Sequence, residues 1–241
     1  MKFAPLLCLG ACIGLSAVLL LSPKERMIGG YSTPLTGRMA SQKHNAVTAL
    51  GQIDGLMIPA GGVFSFNEHV QGWTKDMGYR KAPVSYNGQL VSSWGGGVCQ
   101  TSTTLYNAAL LAGMEVQERH AHHFAPTYVP PGRDAAVAYQ NIDLKFKNPY
   151  SFPIRIRGRV QQDQLVIELV GNGTPRTPNA VYAEIHDKID QKTFTMQTGK
   201  SHRIRNSGKP GFAVTVWREW NDRRERISHN DYPAMHRIIE E

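Results

Sequence analysis

Gly95-Gly96-Gly97-Val98-Cys99-Gln100-Thr101-Ser102-Thr103-Thr104-Leu105-Tyr106-Asn107-Ala108-Ala109-Leu110-Leu111-Ala112-Gly113 is the stretch on which the fold turns. Three glycines lead into small hydroxyl residues, then a Leu/Ala body, then a glycine stop. That pattern predicts a helix with Cys99 at or just before its first turn. Unpaired N–H groups and the positive end of the helix dipole stabilise a thiolate there, lowering a thiol pKa from about 8.5 toward neutrality. Gly95, Gly96 and Gly97 would let the backbone approach a substrate closely or offer N–H groups to an oxyanion. The competing reading is a buried, inert helix-cap cysteine, since free cysteines behave as small hydrophobes.

Upstream of this stretch, residues 27 to 37 look extended. Ala46, Val47, Ala49, Leu50 and Ile53 recur at helical spacing, predicting a helix over 40–52. Residues 58–62 read as a turn, 63–67 as a strand, and 68–97 as loop with short strands. Downstream, strands are predicted over 114–120, 124–129, 135–146, 153–159 and 164–170. The character breaks at Gly171-Asn172-Gly173-Thr174-Pro175, and the tail around Ala213-Val214-Thr215-Val216-Trp217 reads as a small all-β appendage. The expected fold is α+β, with the Cys-bearing helix packed on a mainly antiparallel sheet. The expected divisions are 1–26, a main domain over 27–172, and a β-rich module over 173–241.

The chain has 241 residues, 41% of them hydrophobic, enough for one sizeable core and a smaller module. Lys and Arg outnumber Asp and Glu by 27 to 19, a net charge of +8. The arginines are dispersed, with no dense basic run, so nucleic acid is not an expected partner. An anionic wall polymer or membrane surface suits the charge, as does a plain solvated face. Met1-Lys2 precedes an apolar run from Phe3 to about Leu21, nearly long enough to span a hydrocarbon core. It reads as a signal anchor that ties the chain to a membrane, or as a cleaved signal peptide; Leu9-Gly10-Ala11-Cys12 adds a lipobox-like reading. Each alternative puts the rest of the chain outside the cytoplasm. Cys8 and Cys12 fall inside this run, leaving Cys99 as the lone cysteine of the remainder.

About twenty residues past Cys99 lies Arg119-His120-Ala121-His122-His123. On a strand, alternation would put His120 and His122 on one face. A thiol nucleophile needs such a histidine as base, oriented by a carboxylate, and Asp134 and Asp143 are the available orienters. Gln100 would help hold the oxyanion. Helix-borne Cys, then His, then Asp is the order of transglutaminase-like and papain-type enzymes. His120 and His122 at i, i+2 also suit a zinc pair completed by Asp134 or Cys99, although no HExxH cluster is present. No cofactor is expected.

Phe64-Ser65-Phe66-Asn67, Gly95 to Gln100 running on to Leu105-Tyr106-Asn107-Ala108, and Glu118-Arg119-His120-Ala121-His122 closely resemble the VanW family. So do Tyr128-Val129-Pro130-Pro131-Gly132-Arg133-Asp134-Ala135 and Asp143-Leu144-Lys145-Phe146-Lys147-Asn148. The resemblance covers roughly residues 28 to 172. It implies a role at the bacterial envelope near peptidoglycan, in a family named for vancomycin-resistance clusters, but no settled activity. Residues 208–212 and 228–233 look like a short or degenerate G5-type module, common in such proteins. His123 departs from the family, which usually has a small hydroxyl residue there.

Two classes of function follow. In one, Cys99 with His122 or His120 and Asp134 or Asp143 forms a thiol amidase, peptidase or transpeptidase acting on peptidoglycan. Arg119, Arg133 and the three glycines would then line its substrate site. In the other, the chain binds or scaffolds wall polymer without chemistry, Trp73, Trp94, Trp217 and Trp220 stacking on sugars. A zinc-dependent hydrolase built on His120 and His122 is the third alternative.

Overall fold

The computed structural model of the protein describes residues 24–86, 89–199 and 202–241. The N-terminal apolar run, with its anchor, signal-peptide and lipobox readings, lies outside the described residues. Among the described residues no helix is long and apolar enough to cross a membrane. The first part of the chain runs β1 (Arg26–Pro34), α1 (Ala40–Ile53), β2 (Met57–Ile58), β3 (Val63–Ser65), α2 (Phe66–Val70), β4 (Lys81–Tyr86), β5 (Gln89–Trp94) and α3 (Val98–Leu111). It continues with β6 (Glu115–Glu118), β7 (Lys145–Lys147), β8 (Ile154–Gln161) and β9 (Gln164–Gly171). Among the described residues the second part is strands alone: β10 (Ala180–Ile189), β11 (Thr193–Met196), β12 (Arg203–Asn206), β13 (Gly211–Glu219), β14 (Arg224–Tyr232) and β15 (Arg237–Glu240).

A four-stranded antiparallel sheet in the order β1-β9-β8-β2 forms the floor of the main domain. Alternation along β9 turns Leu165, Ile167 and Leu169 inward, and β8 adds Ile154 and Ile156, all fully buried. Helix α3 lies across β1 and β9, and α1 packs against both α3 and β8. Leu105 and Leu110 of α3 are fully buried, each side chain stabilising the fold by about 1.5–3 kcal/mol.

The hydroxyl-rich start of α3 has a different purpose from capping. Gly97 holds the N-cap position with a left-handed φ of 114°, and no side chain caps it. Thr101, Ser102, Thr103 and Thr104 are instead fully buried, because α3 is enclosed on every side. Each hydroxyl meets a polar group of the surroundings: Thr101 donates to the Ala46 carbonyl of α1, Ser102 to Ala135, and Thr104 pairs with Thr33 of β1. A helix buried all round and crossed by irregular chain needs such donors, since unpaired carbonyls are costly there.

The predicted helices over 40–52 and from Cys99 to Gly113 are present, as are the strands over 153–159 and 164–170. Residues 124–129 and most of 135–146 are not strands. Pro126, Pro130 and Pro131 lack the N–H a ladder requires, and His120–Ala136 and Ala138–Ile142 remain isolated bridges. The segment 63–67 is a short strand that turns into α2. The architecture is mixed α and β, and its named strand pairs are antiparallel except β11 with β15.

The C-terminal strands form two small sheets, β10-β13-β14 and β11-β15-β12. They dock on the main domain through polar and apolar contacts. Arg218 donates to the Met114 carbonyl at 2.7 Å, and Arg133 to the Val181 carbonyl at 3.2 Å. Trp220 is buried beside Gly113.

Candidate functional site

One face of α3 assembles the site. Ser102 and Thr103 lie three and four residues after Cys99, and Asn107 four after Thr103, so the four share that face. Ser102 and Thr103 donate to the Ala135 carbonyl at 2.7 and 3.3 Å, and the Ala135 N–H returns a bond to Thr103. Asn107 grips the same segment, its amide donating to the Arg133 carbonyl and its oxygen accepting from the Arg133 guanidinium. The segment 133–135 is therefore fixed against the helix, and with it Asp134.

Asp134 is fully buried and accepts four hydrogen bonds. Its Oδ2 takes the backbone N–H of His122 at 2.7 Å and the His122 Nδ1 at 2.6 Å. Its Oδ1 takes the Arg119 guanidinium at 3.0 Å and the hydroxyl of Tyr232. With Nδ1 given to Asp134, the imidazole is near enough to the Cys99 thiol to shift its ionisation. The Cys99 Sγ also sits 3.5 Å from the Val137 carbonyl oxygen. His122 is thus fixed on Asp134 and acts electrostatically on Cys99.

The electrostatics follow from burial and pairing. Burial pushes the Cys99 thiol up, but the hydrogen bond and charge of His122 outweigh it and hold the thiol below its ordinary value. Burial alone would lower His122; its bonds to Asp134 and Cys99 instead raise it to about 10. Asp134 is likewise disfavoured as an anion by burial, yet His122 and Arg119 bring it down to about 2. The lowered thiol and the raised imidazole both favour a thiolate–imidazolium pair over the neutral one, anchored on the Asp134 carboxylate. The Val98 and Gln100 N–H groups bond to the Gly95 and Gly97 carbonyls, which leaves the Cys99 N–H among the donors at this helix end without such a carbonyl.

Several expected residues have other duties. His120 is not paired with His122 on a strand face: β6 stops at Glu118, and the histidines lie on irregular chain where His122 bonds Asp134 rather than a ladder partner. His120 faces Glu118 at 3.1 Å. Asp143 accepts from Ser65 Oγ at 2.6 Å and from the Asn67 and Leu144 N–H groups, tying β3 and α2 to β7. It lines a cleft of about 470 Å³ with Glu118, Tyr139 and Lys145, a cleft that does not contain Cys99. Gln100 turns away from the thiol, its amide donating to Thr33 Oγ1 and the Pro34 carbonyl, so it offers nothing to an oxyanion.

The glycines are spaced for protein, not for substrate. A Cβ on Gly95 would lie 2.2 Å from Trp73, and one on Gly97 2.3 Å from the Gln42 carbonyl of α1. A Cβ on Gly96 would meet the Ala82 and Pro83 carbonyls, while Asn45 holds the Gly96 oxygen. Arg119 and Arg133 are buried too: Arg119 binds Asp134, the Gly132 carbonyl and Asn230, and Arg133 stacks over Tyr31. Trp220 is buried and Trp73, Trp94 and Trp217 are half-buried, which leaves little for sugar stacking. Among the described residues no group of three His, Cys, Asp or Glu side chains is placed to hold a metal ion.

Two residues at the site were given no role there by the sequence. Tyr128 reaches the Cys99 carbonyl at 3.4 Å with Arg38 stacked 4.7 Å over its ring, and burial pushes its phenol well above the ordinary range. Tyr232 reaches Asp134 from the C-terminal strands. Beside it, Phe124, Pro126, Pro131, Pro210, Phe212 and Tyr232 line an apolar groove of about 240 Å³.

Comparison of the sequence with known proteins identifies a family. The chain is 34% identical over 169 residues to the uncharacterized protein YoaR of Bacillus subtilis (strain 168), covering 67% of this chain and 56% of that one. It is 27% identical over 169 residues to the vancomycin B-type resistance protein VanW of Enterococcus faecalis (strain ATCC 700802 / V583), covering 68% and 56%. The chain thus spans little more than half the length of either relative. The family described as VanW like protein matches residues 41–170, which hold Cys99, His122 and Asp134, and the chain belongs to the VanW family.

Proposed function

We propose that the protein is a thiol enzyme of the bacterial cell envelope, acting on an amide or ester bond of peptidoglycan or a related wall polymer. The observation that carries this reading is the buried Asp134 holding His122 at 2.6 Å, with that imidazole lowering the Cys99 thiol at the start of a buried helix. The name of the Enterococcus relative and the net charge of +8 support the envelope. The order Cys, His, Asp along the chain is shared with papain-type and transglutaminase-like enzymes, which is analogy and weighs less than the geometry.

The chemistry divides into two half-reactions. The Cys99 thiolate adds to the substrate carbonyl, and the oxyanion lies at the Cys99 N–H end of α3. His122 gives its proton to the departing amine or alcohol as the carbon–leaving-group bond breaks, leaving a thioester on Cys99. A water or acceptor amine then gives its proton to His122 and attacks the thioester, and Cys99 leaves as thiolate. Asp134 keeps Nδ1 protonated and the ring aimed throughout.

The test is alkylation of Cys99 by iodoacetamide from pH 4 to 10, read on the Cys99 peptide by mass spectrometry. It is paired with incubation of the wild type and Cys99→Ser on purified sacculi. Expected are alkylation at pH values where a free thiol is inert, and release of muropeptides that the substitution abolishes. A thiol no more reactive than in the urea-denatured chain overturns the reading. Equal, salt-sensitive sacculus binding by both proteins without turnover would favour a wall-binding protein instead.

A further inference from the structure

We infer that the C-terminal β-module is a working part of the Cys99 site, and that Tyr232 is the residue through which it positions Asp134. The inference rests on the thiol-enzyme reading and extends it beyond the matched residues 41–170.

A buried carboxylate is oriented only as well as its oxygens are occupied. His122 occupies Oδ2 twice over, whereas Oδ1 has Arg119 and Tyr232. Arg119 is itself held from the module, since its guanidinium reaches Asn230 Oδ1. Asn230 and Tyr232 stand two residues apart on β14 and so project from one face of that strand. The neighbouring strand clamps the same region: a Cβ on Gly132 would come 2.8 Å from Val216 Cγ2 and 3.0 Å from Val214 Cγ1. Register puts Tyr232 opposite Phe212 and Asn230 opposite Val214, so β13 and β14 act as one rigid plate behind the 130–134 turn.

The phenol is suited to donate and not to exchange its proton. Burial first, then the Asp134 charge, push its pKa above the ordinary value. Without this hydroxyl, Oδ1 keeps one donor and the carboxylate can turn about its terminal torsion. Oδ2 then leaves the line of Nδ1, and the imidazolium that stabilises the thiolate loses its anchor. Tyr232 is therefore a positioning residue, acting through Asp134.

The experiment compares the full-length wild type, Tyr232→Phe and Tyr150→Phe. The Tyr150 hydroxyl lies 2.8 Å from the Ala112 carbonyl and 2.9 Å from that of Arg176, so its loss weakens the same junction away from the site. The readout is the midpoint of the pH profile for Cys99 alkylation, with thermal melting to follow the fold. Tyr232→Phe is expected to raise the midpoint by about half a pH unit or more, about threefold slower alkylation on the acid limb, with Tyr150→Phe unchanged. An unmoved midpoint in Tyr232→Phe, or equal shifts in both variants, overturns the inference. A wild type with no acid-shifted thiol would instead defeat the thiol-enzyme reading itself.

Discussion

Two histidines, two residues apart, each face a carboxylate, and the contrast between them shows what makes a pair chemically useful. His122 meets Asp134 at 2.6 Å, with the carboxylate side chain fully buried and the ring 24% exposed. His120 meets Glu118 at 3.1 Å, with both side chains open to solvent at 42% and 30%. Glu118 is held below the ordinary carboxylate range chiefly by Lys145, with burial opposing and His120 a lesser partner. The ingredients are alike. Burial separates them, because in a poorly solvated site an ion pair is fixed by its neighbours, whereas at the surface water screens it.

Removing Asp134 should break the comparison most severely. Asp134→Ala leaves the Arg119 guanidinium, 4% exposed, without its counter-charge and His122 without an anchor. Loss of one partner of a buried pair costs about 3–5 kcal/mol, measurable by urea denaturation. The acid limb of stability should change with it. Because Asp134 is depressed to about 2, its contribution is present above about pH 4 and is lost as pH falls through 2. A variant lacking the carboxylate should show a flatter acid limb; one as steep as in the wild type would mean that other groups control it.

His122→Ala comes next. With the imidazole gone, burial and the Asp134 charge push the Cys99 thiol upward against only the Val137 backbone contact, so alkylation at pH 7 should slow by about tenfold or more. The wild-type protein gives the matching alkaline signature. His122 is raised to about 10, so its contribution to stability is complete below about pH 6.5 and is lost as pH climbs through 10. Denaturation midpoints that stay level across that range in the wild type would contradict the imidazolium assignment.

The central part of this contrast was legible in the sequence, and its limits have physical causes. Cys99, His122 and Asp134 were readable because a helix start, a histidine cluster and a Pro-Pro-Gly turn are local signals. Strand alternation, by contrast, paired His120 with His122, and the chain leaves its ladder before either. Gln100 follows Cys99 directly, yet a step of one residue on a helix turns it about a quarter of the way round, toward Thr33 and Pro34. Arg119 and Arg133 read as residues lining a substrate site because nothing local announces burial. Tyr232 fell in a segment resembling a G5-type module, but nothing local linked it to the site: it meets Asp134 across 98 residues of sequence, and a tyrosine in a strand is ordinary. Contacts made by the docking of two modules lie beyond any local pattern.

The smallest expected effect is also the sharpest control. His120→Ala removes an imidazole whose hydrogen-bonding partner, Glu118, keeps Lys145 and the Asp143 N–H. The lost contact is solvated on both sides, so stability should change by no more than about 0.5 kcal/mol. The alkylation midpoint of Cys99 should stay where it is, since His122 and not His120 governs that thiol. A midpoint that moved as far in His120→Ala as in His122→Ala would mean that the two pairs are electrostatically joined, and that burial is not what distinguishes them.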